Sequence, residues 1–531
     1  MPSEHVFDPV EATTEDIRDA VLSGRATCRQ IVQSFLARIA DVNPLINAVI
    51  CLNPKVLEEA DAVDAALSRE KPSGALLGVP IMLKDNFDAV NMKTTGGCLA
   101  LKDLQPTQDA KVVKALKDAG AIILGKVNMH EMALEGLTVS SLGGQTLNPY
   151  DLTRTPGGSS GGSGAAVAAS LCVAATGTDT MNSLRSPASA NSLFSCRPTR
   201  GLISQGGVIP ISFTQDAVGP IARCTKDVAI LLTVMANVGY DDDDSATVGR
   251  PKDLLGKDYA ASVEKGQLQG LRLGVLEGFQ SKEWNTETVP VNETMDKTVR
   301  MLEEAGVVVV RIGDAVYDTQ DILYRLDTRR YEYREALDEF LQRPDLRGEY
   351  PRSFRDLYDS NDFLVIPAQY EHIKAARRLD TSDARYKQVQ EGIVKLQQTL
   401  QETLTQHNLD ALIYPQQKCL TVKVGSSSQA QRNGILAAVT GFPSVCVPIG
   451  FSRPTEDAPI GVPVGMEVLG RPWSEGRLLQ IAYQFEKLSR VRRPPLLKTC
   501  RERANVDDDG VLQLLPNTVN IPDVYPQGVL Q

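Results

Sequence analysis

Residues 157–164 read Gly-Gly-Ser-Ser-Gly-Gly-Ser-Gly, and no other stretch of the chain limits the fold as strongly. No side chain there exceeds a hydroxymethyl group, and the glycines open backbone conformations closed to other residues. A flexible linker has a similar composition. Linkers, however, do not usually lead straight into a tight Ala-rich segment such as 165–170, with strand-like 172–175 behind it. A turn that delivers the chain into a helix start, where free N–H groups are exposed, suits this context better and marks a functional loop.

The rest of the chain supplies a frame for that loop. Residues 1–75 read as a helical layer. Thr14 is placed to cap 15–22, Thr27 to cap 29–39 with Ile31, Phe35 and Ile39 at helical spacing, and Asn53-Pro54 opens 56–67. Across 76–245, short apolar runs at 79–83, 121–124 and 172–175 alternate with helical stretches such as 112–119. Residues 246–400 are mostly helical, with a strand–helix–strand unit over 271–276, 291–304 and 307–312, after an acidic run at 241–244 that reads as a solvated turn. Strand-like 411–414, 444–449 and 465–468 return 401–490 to the core, and 491–531 reads as a surface tail. This alternation is that of an α/β protein, and without repeats or linkers the expectation is one large domain over 1–531.

Composition excludes several function classes. The formal net charge is -10 and no Lys/Arg cluster stands out, so nucleic acid is not an expected partner. No apolar run approaches the roughly 20 residues of a membrane-spanning helix, and residues 1–16 lack the order of a secretory signal. The 9 cysteines are scattered without a CxxC pair, and the 4 histidines are dispersed, so no metal is expected and the cysteines read as core residues of a reducing, cytoplasmic compartment.

Three motifs compete for the chemistry. Gly157 to Gly161 fits the GxSxG elbow of a serine hydrolase, which needs a later histidine base; only His372 and His407 follow, the first in charged helical sequence and the second at an expected helix end. Gly120 to Val127 almost spells a phosphate-binding loop, but Val127 replaces the magnesium-holding hydroxyl and the intervening residues are apolar and strand-like. The third reading joins three segments: Gly78 to Asn86 around Lys84, Pro156 to Gly164 around Ser159, and Gly177 to Arg185 around Ser183. In order and spacing these resemble the amidase signature family. The likeness runs from Gly78 to Ile230 and resumes over 410–413, 441–450 and 464–472.

That resemblance implies one α/β domain with a large, mixed, twisted central sheet covered by helices on both faces. It implies a Ser-Ser-Lys triad: Ser183 as nucleophile, Ser159 after a cis peptide bond as proton relay, and Lys84 as base. The chemistry is coherent, because a lysine desolvated among Val79, Ile81, Met82 and Leu83 can be neutral enough to accept a serine proton. Taken singly, Lys84 would pair with Asp85 and Ser183 would be a turn residue; the joint pattern reverses both. Backbone N–H groups of Thr180, Met181, Asn182 and Ser183 would form an oxyanion hole. Ser160, Asp179 and Arg185 would fix the loop, and Met129, His130, Met132, Leu137, Thr138 and Tyr414 are pocket candidates. The family usually has two glycines where this chain has Met181-Asn182, and methionine tolerates positive φ poorly.

The function implied is hydrolysis of a small-molecule amide, or an ester, through an acyl-enzyme, with no cofactor; the oligomeric state is open, with a homodimer as one option. The alternatives are an A-type component of an amidotransferase, working only with partners, and a catalytically silent amide-binding homologue.

Overall fold

The computed structural model describes residues 7–69, 74–497, 511 and 513–530. Eleven strands form one sheet: β1 (Val49–Leu52), β2 (Pro80–Lys84), β3 (Ile122–Val127), β4 (Ala174–Asp179), β5 (Phe194–Arg197), β6 (Ala217–Ala222), β7 (Arg272–Leu276), β8 (Val308–Ile312), β9 (Ala411–Pro415), β10 (Ser444–Phe451) and β11 (Pro463–Leu469). Their order across the sheet is β1-β3-β2-β4-β6-β5-β10-β11-β9-β7-β8. The sheet is mixed: β3, β2 and β4 run parallel, as do β9, β7 and β8, while the strands between are antiparallel. The central strands β2, β3, β4 and β6 are buried at every position, which is why they read as apolar runs rather than alternating ones.

Most of the core is one apolar cluster that joins the sheet to helices Cys28–Ile46, Gly161–Ala168, Thr225–Ala236, Val289–Glu304 and Glu475–Ser489. A second cluster packs Thr319–Leu326 and Ala384–Gln406 over Leu412 and Tyr414 of β9. A third lies between Arg329–Leu341, Phe354–Asp359 and Tyr370–Ala376 and loop residues including Met129 and Met132. The mostly helical 246–400 stretch therefore supplies the roof over part of the sheet.

Several expectations are corrected. The first helix, Thr14–Leu22, is capped by Thr13, whose side chain accepts from the Asp16 N–H; Thr14 lies inside it. The acidic run is not fully solvated, since Asp241 and Asp244 are 5% and 6% exposed and Asp244 pairs with Arg200 at 2.9 Å. The helix expected over 165–170 begins inside the glycine run, at Gly161, and the strand expected over 172–175 is β4, which extends to Asp179. The eight described cysteines are unpaired, and Cys500 lies outside the described residues.

Candidate active site

The parallel pairing of β2 with β4 aligns Ile81 with Ala174 and Met82 with Ala175, so both strands deliver their carboxyl ends to one edge. Lys84 is the last residue of β2, and Thr176, Thr178 and Asp179 close β4. The Lys84 N–H donates to Thr176 Oγ1 at 3.1 Å. Its Nζ donates to Ser159 Oγ at 2.8 Å and to Thr178 Oγ1 at 2.7 Å. No carboxylate pairs with it among the described residues; Asp85 turns instead to Lys126, 3.6 Å away, and to Thr95. Burial pulls the Lys84 ammonium down to about 7, against the weaker upward pull of Asp179 and Asp216.

Ser159 reaches Lys84 because the glycine run passes close to other backbone. The Gly158–Ser159 peptide is cis, and Gly157 has φ +70°, with its carbonyl accepting from Thr138 Oγ1 at 2.7 Å. A Cβ on Gly162 would stand 2.1 Å from the Asn128 carbonyl oxygen, so only glycine allows this approach. Ser163 Oγ donates to the Thr176 carbonyl at 2.8 Å, pinning the new helix to β4. The Ser160 N–H points to the Ser183 carbonyl at 3.4 Å, which brings the loop after β4 beside the glycine run.

In that loop the N–H groups of Thr180, Met181, Asn182 and Ser183 donate to no acceptor among the described residues, and the Ser183 hydroxyl has no hydrogen-bond partner there. Such uncommitted donors are what a developing oxyanion requires. Neither Met181 nor Asn182 adopts positive φ, so the missing glycines put no strain on the backbone here. Met181 sinks into the second core with Phe279, Tyr414 and Ile435.

A buried ion network holds the loop. Arg185 donates from Nε and Nη2 to Asp179, both at 2.9 Å, and from Nη1 to Glu467 Oε2 at 2.6 Å. The same guanidinium donates to the Met181 carbonyl at 2.6 Å and the Gly434 carbonyl at 3.0 Å. Arg197 adds a contact to Asp179 at 3.0 Å, and Tyr414 and Ser444 hydroxyls donate to Glu467, each at 3.0 Å. Burial raises the Asp179 carboxyl, but Arg185 and Arg197 win and hold it down to about 2. Gln215 ties the loop to the roof: its Nε2 donates to the Thr180 carbonyl at 3.0 Å while its Oε1 accepts from the Thr328 N–H at 2.8 Å. Glu467→Ala is expected to leave the buried guanidiniums of Arg185 and Arg197 sharing Asp179 alone, an uncompensated positive charge, and to cost about 3–5 kcal/mol of stability, read by denaturant unfolding.

Of the pocket candidates, packing or structural bonding accounts for most. Met129 and Met132 belong to the third cluster, Leu137 packs with Val139 and Leu364, Thr138 buttresses Gly157, and Tyr414 serves Glu467. His130 is different: its backbone N–H donates to the Ser159 carbonyl at 3.0 Å, it is buried, and its Nδ1 is unpartnered among the described residues. Burial lowers its imidazole to about 4. His372 stacks on Tyr333 with centroids 6.4 Å apart, and His407 ends helix Ala384–Gln406, so neither is bonded to Ser159. Residues 122–127 are the buried strand β3, not a phosphate cradle. Sequence reasoning missed Thr178, Arg197, Gln215 and Glu467. Glu467 alone left a signal, as the one acidic residue in the apolar run Pro463–Leu469.

No helix among the described residues is long and apolar enough to cross a membrane, and none of them form a group of three or more His, Cys, Asp or Glu placed to hold a metal ion.

Known proteins share this arrangement of chain and fold. The family model described as Amidase matches residues 30–479. The A component of the glutamyl-tRNA(Gln) amidotransferase of Acinetobacter baumannii is 32% identical over 498 residues, covering 89% of this chain and 95% of that protein. A probable amidase of Arabidopsis thaliana is 31% identical over 504 residues, covering 92% of each. Among solved structures, native peptide amidase from Stenotrophomonas maltophilia superposes with a TM-score of 0.78 at 32% identity, over 92% of this chain and 99% of that one. The corresponding glutamyl-tRNA(Gln) amidotransferase component of Thermotoga maritima gives a TM-score of 0.71 at 26% identity, over 93% and 99% of the two chains.

Proposed function

The chain belongs to the amidase signature family, and from that premise we propose that it hydrolyses a small amide through an acyl-enzyme on Ser183. The observation that carries this reading is the buried Lys84–Ser159 contact at 2.8 Å, with no carboxylate in ion-pair contact with the lysine among the described residues. A lysine lowered to about 7 is partly neutral at neutral pH and can act as a base.

In this scheme Ser159 passes its proton to Lys84 Nζ and takes the proton of Ser183 Oγ, as that oxygen bonds to the scissile carbonyl carbon. The carbonyl electron pair moves onto oxygen, where the N–H groups of the Thr180–Ser183 loop stabilise it. Collapse breaks the C–N bond, and the leaving amine receives the proton back from Lys84 through Ser159. Water then attacks the acyl-enzyme by the same relay, releasing the acid and restoring Ser183.

A second reading is a chain that turns over only within an amidotransferase complex, favoured by the 32% identity to a component of such an enzyme. Assay of the purified chain alone on a panel of primary and secondary amides separates the two. Turnover without partners is expected, and a fluorophosphonate should add to Ser183 as seen by intact mass and peptide mapping. An inert chain that reacts at no serine would reject the hydrolase reading.

A further inference from the structure

Three buried carboxamides lie on segments packed around the nucleophile loop, with hydrogen-bonding groups that no atom of the described residues satisfies. Asn182, directly before Ser183, is 0% exposed, and neither its Oδ1 nor its Nδ2 has a partner. Gln416, directly after β9, is also 0% exposed, with both Oε1 and Nε2 unpartnered. Asn433 donates its Nδ2 to the Phe279 and Pro415 carbonyls, each at 2.8 Å, and its Oδ1 is left free.

One turn gathers them. The Asn433 N–H donates to the Gln416 carbonyl at 3.0 Å, and a Cβ on the neighbouring Gly434 would stand 2.6 Å from Asn182 Cβ. The β9–β11 ladder continues through Gln416, whose N–H donates to the Gly465 carbonyl at 3.0 Å. By strand alternation Gln416 then shares a face with Leu412 and Tyr414, and those two side chains pack in one cluster with Met181.

Buried amide groups are nearly always paired, and an unpaired one is costly. Apolar side chains of similar size would suit the folded state better at Asn182 and Gln416, and local rules are broken in this way chiefly at functional sites. Carboxamides donate and accept without charge. The guanidinium nearest to hand, Arg185, is committed to Asp179, Glu467 and two carbonyls, so a carboxylate ligand would find no free cation in this cluster. We propose that Asn182, Gln416 and Asn433 form a subsite for an uncharged, hydrogen-bonding group, a primary carboxamide, on the acyl part of the substrate near the scissile carbonyl. Placing the acyl part here rests on the hydrolase reading.

Binding to the full-length Ser183→Ala chain tests this without requiring turnover. Titration calorimetry with succinamide and with 4-methylpentanamide, in which an isopropyl group replaces one carboxamide, should show at least about tenfold tighter binding of succinamide, one good hydrogen-bonded group's worth. Gln416→Leu and Asn182→Ala should each erase most of that preference. Gln416→Leu should also raise the melting temperature, since it removes two unpaired buried atoms. Equal binding of the two amides, or a preference that survives both substitutions, would overturn the subsite. If Gln416→Leu does not fold, Gln416→Met carries the same comparison. A preserved binding preference in a parent chain that turns over nothing and reacts with the fluorophosphonate at no serine rejects the hydrolase reading and leaves the subsite standing.

Discussion

Ser183→Ala is expected to lower kcat/KM by roughly 10⁴- to 10⁶-fold, the loss typical of removing a nucleophile from a cooperating set. The same change should leave stability within about 0.5 kcal/mol of the parent. The loss follows from the proposed nucleophile role, and the unchanged stability from the Ser183 hydroxyl having no hydrogen-bond partner among the described residues, so that the fold does not use it. Ser159 provides the contrast. Its hydroxyl receives one of the two side-chain hydrogen bonds that Lys84 Nζ makes, and Ser159→Ala leaves that buried nitrogen with Thr178 alone. Ser159→Ala should therefore alter both turnover and stability, whereas Ser183→Ala separates them. Turnover by Ser183→Ala within about tenfold of the parent, measured on any amide the parent cleaves, is incompatible with the proposed acyl-enzyme.

The features legible in the sequence were those encoded locally. The apolar runs gave β2, β3 and β4 to within a few residues because strands buried on both faces read as continuous apolar stretches, and each run stopped short where a polar residue (Lys84, Lys126, Thr176) follows. The glycine run was legible as a loop, since few backbones need so many residues without Cβ. Its inner half was not: Gly161 to Gly164 are poor helix formers, yet the packing of the 161–168 helix against β4 overrides that preference. The ion network was legible only in its near half. Asp179 and Arg185 lie six residues apart, but Glu467 is 282 residues from Arg185 and becomes its partner only once β11 pairs with β9 and β10. The pocket candidates were hard to read for a related reason. A methionine or leucine near a catalytic motif carries no mark that distinguishes core from cavity, and here Met129, Met132 and Leu137 are core. Met181-Asn182 shows the limit most clearly. The sequence pointed to backbone strain, whereas the loop keeps ordinary φ values and places one side chain in the second core and the other against Gly434.

Replacing Lys84 should expose the base directly. The proposed relay requires neutral Lys84, so kcat/KM should rise with pH through about 7 and level off above it. Lys84→Met should abolish both the rise and nearly all turnover. His130 cannot imitate this profile, because burial holds its imidazole near 4, and a histidine base there would already be neutral over the whole rise. A rise through 7 that persists in Lys84→Met would therefore sink the relay. Stability gives an independent reading with a defined sign. The folded lysine is lowered from the ordinary 10.5 to about 7, so the unfolded chain binds more protons between those values and stability rises with pH across that window. Below about 7 the group carries its full destabilisation, up to about 5 kcal/mol by linkage; the figure is an upper bound because the buried ammonium still donates to two hydroxyls. Lys84→Met, which fills the same space without a charge, should be more stable than the parent at pH 6. The gap measured by urea unfolding should shrink steadily as pH climbs from 7 toward 10. A variant that loses activity while gaining stability in this pH-dependent way would identify Lys84 as a residue kept for chemistry at the expense of the fold.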